Sequence, residues 1–155
     1  MELWLSSVGR NAKLLLNVPP TRAGEFHAND IANLSAWCVA RERLFANDFA
    51  AGKHMEWRLT SARSAVAEID FGRIIDAGLI RLEEQIAQGQ RIAGYVVHGA
   101  TDGDWCELVH GTTIGHRKLD RVTATPLRRL RVTILDAIAT PLPLRIGIYS
   151  GNAAI

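Results

Sequence analysis

The sequence predicts a mainly β protein, an antiparallel β-sandwich preceded by one strand–helix unit. Three observations support this fold class. Apolar and polar residues alternate along residues 65–71 and again along residues 129–134, which is the period of a strand with one buried face. Asp-Gly at residues 102–103 lies between two apolar runs and predicts a tight hairpin. Ahead of these strands, residues 28–45 carry apolar side chains at helical spacing.

The first predicted unit is a strand followed by a helix. Residues 13–18 form a short apolar run that two prolines close, which is typical of a buried strand. In the helix of residues 28–45, Asn29 or Asp30 can cap the first turn. One strand and one helix cannot bury their own apolar faces, so this unit must pack on something else. Its helical stripe consists of Ile31, Leu34, Cys38 and Phe45.

The second predicted unit is the sandwich. A linker at residues 47–53 separates the two, which gives predicted domains at residues 1–47 and 53–151. Counting back from the predicted hairpin turn pairs Ala100 with Trp105 and His98 with Glu107. Several short strands with turns between them predict an antiparallel sandwich or barrel. The predicted strands are residues 65–71 (ended by Gly72), 79–82, 91–100, 105–110, 116–122, 129–134 and 144–149.

Composition narrows the function classes. The 155 residues are 48% hydrophobic and 22% charged, as is typical of soluble globular proteins. A net charge of +2 gives no reason to expect nucleic acid, and no apolar run approaches the ~20 residues of a membrane span. The first residues lack the layout of a signal peptide, which predicts a cytoplasmic chain. We expect Cys38 and Cys106 to be buried, reduced thiols.

One segment resembles a known family. Residues 6–20, Ser-Ser-Val-Gly-Arg-Asn-Ala-Lys-Leu-Leu-Leu-Asn-Val-Pro-Pro, are similar to the segment that enters the last strand of the catalytic barrel in α-L-fucosidases of glycoside hydrolase family 29. Further pieces resemble those enzymes in the same order, so the resemblance runs from about residue 6 to residue 151. They are residues 67–72 (Ala-Glu-Ile-Asp-Phe-Gly), 83–92 (ending in Gly-Gln-Arg-Ile), 105–108 (Trp-Cys-Glu-Leu), 111–115 (Gly-Thr-Thr-Ile-Gly), 130–132 (Leu-Arg-Val) and 148–149 (Ile-Tyr).

The resemblance carries expectations about fold and chemistry. It implies the last strand–helix unit of a catalytic barrel followed by a galactose-binding-like jelly roll. A retaining glycosidase needs two carboxylates about 5 Å apart. In the family both lie upstream of the matched region, so we assign no catalytic residue. Between Gly52 and Trp57 the family usually has a longer stretch with an Asp-Gly-Asp turn, and here only residues 53–56 remain. That loss argues against calcium, and we predict neither a metal nor a cofactor.

Three aromatic residues are candidates for sugar binding: Trp57, Trp105 and Tyr149. Aromatic faces stack on the apolar face of a pyranose, and Trp105 begins a strand directly after a turn. The alternative for each ring is core packing, because these side chains bury so much area.

Other clusters of polar residues also have structural interpretations. The carboxylates Asp70, Asp76, Glu83 and Glu84 are catalytic candidates only if one has a raised pKa, and otherwise lie at solvated strand ends. His98 and Glu107 predict a cross-strand polar pair more readily than a metal site. A basic cluster suggests a solvated face or an acidic partner, and consists of Arg117, Lys118, Arg121, Arg128, Arg129 and Arg131.

These observations leave three hypotheses. The first is a C-terminal, fucosidase-like part that acts as an accessory or carbohydrate-binding module. The second is an active α-L-fucosidase, formed by self-association or with a separately encoded barrel portion. The third is a structural interaction domain without sugar affinity. We expect a homo-oligomer or association with a barrel portion, a fucosylated glycan as a possible ligand, and no nucleic acid or membrane partner. Enzymes of the family are often secreted, unlike the cytoplasmic location that the first residues predict.

Overall fold

The computed structural model describes residues 1–151 of the chain. They form two α-helices, one short 3-10 turn at Ile86–Gln88 and six β-strands that belong to one sheet. The helices are α1 (Glu2–Ser7) and α2 (Ala28–Phe45). The strands are β1 (Met55–Leu59), β2 (Ala65–Glu83), β3 (Ile92–Ala100), β4 (Cys106–Gly111), β5 (Lys118–Ala137) and β6 (Arg145–Tyr149).

The two longest strands, β2 and β5, build both layers of the sandwich. Antiparallel pairing joins the first half of β2 to the second half of β5. Beyond a register shift between Asp70 and Ile75, it joins the second half of β2 to the first half of β5. The first pairing lies within the strand order β1-β2-β5-β3-β4, whereas β6 pairs with the second half of β2. A five-stranded and a three-stranded layer therefore share one continuous ribbon.

One main core lies between the two layers. Ala67 and Ile69 from the first half of β2 belong to the same buried cluster as Ile80 and Leu82 from its second half and Ile148 of β6. Side chains on one face of every paired strand therefore meet in the interior, which the alternating sequence pattern requires. This arrangement confirms the predicted mainly β fold class.

A second, smaller core attaches the N-terminal residues to the three-stranded layer. The ring of Phe45, at the end of α2, lies edge-on between Trp4 at 5.5 Å and Tyr149 at 4.9 Å, measured between ring centroids. Edge-to-face contacts at such distances are favourable because ring edges and faces carry opposite partial charges. The buried members of this core are Trp4, Leu5, Leu44, Leu79, Leu119 and Tyr149.

The predicted helix is confirmed with the same bounds, but its cap and its buried face differ. The side chain of His27, and not that of Asn29 or Asp30, accepts a hydrogen bond from the Asn29 backbone N–H at 3.2 Å. Only Leu44 is buried along the helix, and Ile31 of the predicted stripe is 52% exposed. The residues of the helix that pack in the second core are Trp37, Leu44 and Phe45, all in its second half. Within residues 1–151, neither helix is long and apolar enough to cross a membrane.

The strand predicted at residues 13–18 does not form. Residues 12–19 have no regular secondary structure and pair with no strand, and Leu15 is 86% exposed. A strand needs a neighbouring strand edge, and the residues described here offer none at this place. The strand–helix unit is therefore represented by an irregular segment and a helix, while the boundaries proposed for the two domains stay a prediction.

Several predicted short strands are parts of longer ones. Gly72 does not end the first strand, because β2 continues through residues 79–82. Residues 116–122 and 129–134 likewise belong largely to the single strand β5. The hairpin of β3 and β4 is confirmed, including the pair His98–Glu107, although Ala100 and Trp105 lie beyond the paired residues. The sequence pattern did not predict α1 or β1.

The two cysteines are free, as expected, but they are not both buried. Cys38 is half-buried on α2, and Cys106 is exposed at the start of β4. The prediction of two buried thiols is therefore wrong for Cys106, which lies at the edge strand where the sheet has no further neighbour.

Asn11 fastens the N-terminal segment to the sandwich. Its side-chain amide donates to the Ile114 carbonyl at 2.7 Å and accepts from the Arg117 backbone N–H at 2.8 Å. Asn11 has a φ of 66°, a left-handed conformation in which asparagine is enriched among non-glycine residues. Next to it, the Leu119 backbone N–H donates to the Gly9 carbonyl at 2.8 Å. Residues 9–11 (Gly-Arg-Asn) thus join the N-terminal segment to the sandwich, and we call this connection the junction.

Asn11→Ala should loosen this junction without unfolding the sandwich. The change removes two side-chain hydrogen bonds and leaves alanine at a positive φ, a local cost of about 1–3 kcal/mol. We expect faster hydrogen exchange at the Leu119 amide and unchanged exchange at Val132 in the main core. Asn33→Ala, on the exposed side of α2, is the matched control. Unchanged exchange at Leu119 would contradict the junction.

Candidate functional site

Trp105 lies on the outer face of the five-stranded layer, against two arginines of β5. The guanidinium carbon of Arg131 is 4.1 Å from the centroid of the Trp105 ring, and that of Arg129 is 5.0 Å away. Both distances are within the range of cation–π attraction. The ring is half-buried. Trp105 is therefore available at the surface, but part of its ring is already covered by positive charge, which the sequence pattern did not indicate.

A row of charged side chains crosses the same face. Cross-strand pairing places Glu56, Glu68, Arg131, His98 and Glu107 side by side, one on each strand of the five-stranded layer. The Arg131 Nε donates to Glu68 Oε1 at 2.9 Å. Glu68 and Arg131 are opposite charges directly across the sheet and stabilise the pairing of β2 with β5, whereas Glu56 and Glu68 are like charges. The Glu68–Arg131 pair is therefore explained as part of the sheet.

Trp57 and Tyr149 do not join Trp105. Trp57 pairs with Ala67, whose side chain lies in the main core, and packs half-buried against that core. Tyr149 is 1% exposed, and its hydroxyl donates to Asp48 Oδ2 at 3.0 Å. The prediction of a sugar platform at Tyr149 is therefore wrong, because its ring presents no face to solvent. The structure places the three candidates in separate environments.

The carboxylates considered as catalytic candidates have structural partners or lie in solvent. Glu84 accepts hydrogen bonds from the backbone N–H groups of Arg91, Ile92 and Gly115. Glu83 pairs with the guanidinium of Arg117 at 2.9 Å. Both side chains are thus engaged by contacts within the chain.

The other two carboxylate candidates are Asp70 and Asp76. The backbone N–H of Gly72 lowers the pKa of the Asp70 carboxyl, with a further contribution from the nearby Arg128. Asp76 is exposed on β2. Nothing in this set resembles an acid paired with a nucleophile.

The basic cluster is largely neutralised. Four of its members lie within ion-pair distance of a carboxylate, so the cluster carries little unbalanced charge. This favours the interpretation as a solvated face. The pairs are Arg117–Glu83, Arg121–Glu2, Arg128–Asp70 and Arg131–Glu68.

A buried polar cluster joins the N-terminal segment to the core. Asp120, 4% exposed, accepts hydrogen bonds from the Tyr95 hydroxyl and from the Arg10 guanidinium at 2.6 Å. Burial raises the pKa of Tyr95, and the hydrogen bond to Asp120 raises it further. Tyr95 is fully buried and therefore has no contact with solvent or substrate. The cluster connects the N-terminal segment to the core through the bond of Arg10 to Asp120.

Metal binding has no support in the part of the chain that the structure describes. No three His, Cys, Asp or Glu side chains within residues 1–151 come together as a possible metal site. A shallow pocket of about 220 Å³ beside His54 contains Glu56, Glu68 and Asp70, but Arg129 lines it as well. A cation at that point would be repelled by the guanidinium.

Several large apolar side chains of the N-terminal region are exposed. Leu15 and Leu16 are 86% and 45% exposed, and Phe26 before α2 is 56% exposed. Exposed apolar area marks an interaction site when it is contiguous. We name this set of side chains the N-terminal apolar surface. Its residues are Leu15, Leu16, Phe26, Ile31 and Val39.

Comparison with curated sequences finds fucosidases, although no protein-family model matches the chain. Alpha-L-fucosidase 1 of Arabidopsis thaliana is 25% identical over 178 residues, which covers 96% of this chain and 35% of that protein. The chain thus spans about a third of the length of the curated relatives that it matches.

Comparison with solved structures points the same way. The crystal structure of SpGH29 superposes with a TM-score of 0.86 at 33% identity, covering 96% of this chain and 38% of that one. A Ruminococcus gnavus GH29 fucosidase in complex with fucose gives a TM-score of 0.85 at 25% identity, covering 96% of this chain and 35% of that one.

A carbohydrate-binding module shares the fold alone. The family 32 module of NanJ from C. perfringens, in complex with galactose, gives a TM-score of 0.52 at 13% identity, over 59% of this chain and 70% of that one.

Tyr95→Phe should lower the free energy of unfolding by about 1–3 kcal/mol below about pH 9, because it removes the hydroxyl that donates to buried Asp120. Folding raises the pKa of Tyr95, so above about pH 10 the unfolded state loses its proton first. The free energy of unfolding of the wild type therefore decreases above about pH 10. The variant has no hydroxyl at position 95 and does not lose this contribution.

The difference between the two proteins should consequently shrink as the pH rises above about 10, as measured by urea unfolding. Tyr149 and Lys118 also titrate in this range, but they are present in both proteins and cancel in the difference. A constant difference up to about pH 11 would contradict a titrating Tyr95.

The two tryptophans should differ in their contribution to stability. Trp57→Ala opens the main core and should cost about 3 kcal/mol, whereas Trp105→Ala removes surface cation–π contacts and should cost about 1 kcal/mol. Urea unfolding at neutral pH measures both, and each variant controls for the other. Equal losses would mean that Trp105 is as much a core residue as Trp57.

Proposed function

We propose that this chain, which matches the C-terminal region of family 29 α-L-fucosidases in sequence and fold, is the accessory region of a fucosidase-like glycoside hydrolase. In this proposal it docks against a catalytic barrel and presents a carbohydrate-binding sandwich. The catalytic carboxylates belong to the barrel portion and not to residues 1–151.

The observation that carries the proposal is the N-terminal apolar surface. Leu15, Leu16 and Phe26 are exposed although the rest of the chain has two well-buried cores. Burying one such side chain contributes roughly 1.5–3 kcal/mol. A surface that gains this much from being covered is the expected mark of a partner.

A catalytic barrel is the partner that fits this surface. The chain matches only about a third of its curated relatives, so most of each relative is available to cover the corresponding region. Residues 13–18 lack a strand partner, and neighbouring barrel strands would provide hydrogen bonds as well as apolar contacts. The resemblance of residues 6–20 to the entry into the last barrel strand supports the same partner.

The carboxylates support an accessory role. Glu83 and Glu84 are engaged by Arg117 and by backbone N–H groups, and the pKa of Asp70 is lowered. A retaining glycosidase needs one carboxyl that keeps its proton and a second about 5 Å away. The described residues supply ion pairs and turn contacts in place of such a pair.

Carbohydrate binding by the sandwich is part of the proposal. A galactose-bound module shares the fold, and a fucosylated glycan is the ligand that the fucosidase relatives suggest. Trp105 remains a candidate platform because it is half-buried at the surface, although Arg131 covers part of its ring.

The purified chain alone should therefore release no nitrophenol from 4-nitrophenyl α-L-fucoside and should self-associate through its N-terminal apolar surface. Light scattering should give a mass above the 17.0 kDa of one chain. Leu15→Ser with Leu16→Ser should shift the mass toward the monomer, because serine removes the apolar area that drives association.

Ile138→Ser is the matched control, since Ile138 is 74% exposed but lies after β5 on the sandwich. It should leave the mass unchanged. A monodisperse wild-type monomer would contradict the docking surface. Turnover that disappears after single Asp→Ala or Glu→Ala substitutions would overturn the accessory role and favour an active oligomer.

A further inference from the structure

A cleft of about 620 Å³ opens at one edge of the sandwich, where β2 bends from one layer into the other. Phe71 and Ile75 line it from β2, and the loop that follows α2 lines it with Asp48, Phe49 and Lys53. Its volume lies within the roughly 300–1,000 Å³ of small-molecule sites. Neither Trp105 nor the residues of the charged row line it.

The bend leaves part of β2 without a strand partner on one side. There, pairing with β1 ends at Ile69 and pairing with β6 begins at Leu79. Two backbone groups of this stretch are already engaged: the Phe71 carbonyl accepts from the Lys53 ammonium at 2.9 Å, and the Gly72 N–H donates to Asp70 at 2.7 Å. Backbone groups without a strand partner beside an apolar wall suit a ligand that has both hydroxyl groups and C–H faces.

The acidic residue of the cleft carries no free charge. Asp48 Oδ1 accepts the backbone N–H groups of Ala50 and Ile148, each at 3.0 Å. Asp48 Oδ2 accepts the Tyr149 hydroxyl at 3.0 Å and faces the Arg81 guanidinium at 3.3 Å. The carboxylate is thus compensated by Arg81 and held in the wall.

The basic residues of the cleft, in contrast, have no compensating charge. Within residues 1–151, neither Lys53 nor Arg73 lies within ion-pair distance of a carboxylate. Both side chains are exposed at the mouth of the cleft. A guanidinium presents a planar set of donors that matches carboxylate and sulfate oxygens. The unbalanced charge at this mouth is positive.

We propose that this cleft binds an anionic sugar, a carbohydrate unit that bears a sulfate or a carboxylate. The anionic group pairs with Arg73 and Lys53, the hydroxyl groups bond to the open backbone of β2, and a C–H face lies against Phe49. That the ligand is a sugar rests on the proposed function, whereas its charge follows from the residues of the cleft.

Affinity electrophoresis of the full chain tests the inference with three polymers: a sulfated fucan, the same fucan after desulfation, and polygalacturonate. The wild type should bind at least one anionic polymer about tenfold more tightly than the desulfated fucan, the loss expected when a charge-assisted contact is removed. The sulfated and carboxylated arms identify which anion the cleft takes.

Arg73→Gln should weaken that binding about tenfold, while Arg73→Lys should keep most of it. Arg22→Gln, at another exposed arginine, is the matched control and should bind like the wild type. Thermal midpoints of all variants should agree, because Arg73 makes no ion pair within the described residues.

Three outcomes would overturn the inference: no binding to either anionic polymer, equal binding to the desulfated fucan, or equal weakening by Arg73→Gln and Arg22→Gln. None of these readouts uses turnover or the N-terminal apolar surface. A failure here is therefore distinguishable from a failure of the proposed accessory role.

Discussion

The pairing of β2 with β5 is the constraint on which the rest of the structure depends. These two strands run antiparallel through both layers, so neither layer can form without the other. The register shift between Asp70 and Ile75 lets the ribbon bend, and Gly72 there has a φ of 73°, a conformation that side chains with a Cβ rarely adopt. The charged row lies on the straight part of this ribbon, and the cleft lies at its bend.

Which features of the fold can be predicted from the sequence depends on whether they are determined by neighbouring residues. The helix Ala28–Phe45 and the pair His98–Glu107 were predicted correctly, because helical spacing and an Asp-Gly turn are properties of neighbouring residues. The pattern predicts a strand end at Gly72, yet β2 continues because it pairs with β5 on both sides of the bend. The ring of Tyr149 is buried in a core with Phe45, and its hydroxyl bonds Asp48, 101 residues away in the sequence, so no local pattern indicates its burial.

The charges divide the molecule into compensated and uncompensated parts. Asp48, Glu84 and Asp120 each hold distant segments together by accepting hydrogen bonds, so their charges serve the fold. The oxygens of these carboxylates are already engaged by donors of the chain itself. Among the residues that line the cleft, the charge without an ion-pair partner within residues 1–151 is positive and lies at Lys53 and Arg73. Recognition of an anion is therefore a more natural chemistry for the sandwich than proton transfer.

The sequence of the uncovered segment also discriminates between partners. Leu14, Leu15 and Leu16 follow one another without alternation, and a strand with such a run is buried on both faces. Both faces are covered in a parallel sheet flanked by helices, which is the environment of a barrel strand. A twofold dimer brings identical surfaces together and pairs equivalent strands antiparallel, which leaves one face of each open. Self-association can therefore shield this segment only in part, whereas the barrel proposed as its partner would satisfy its backbone and both of its apolar faces.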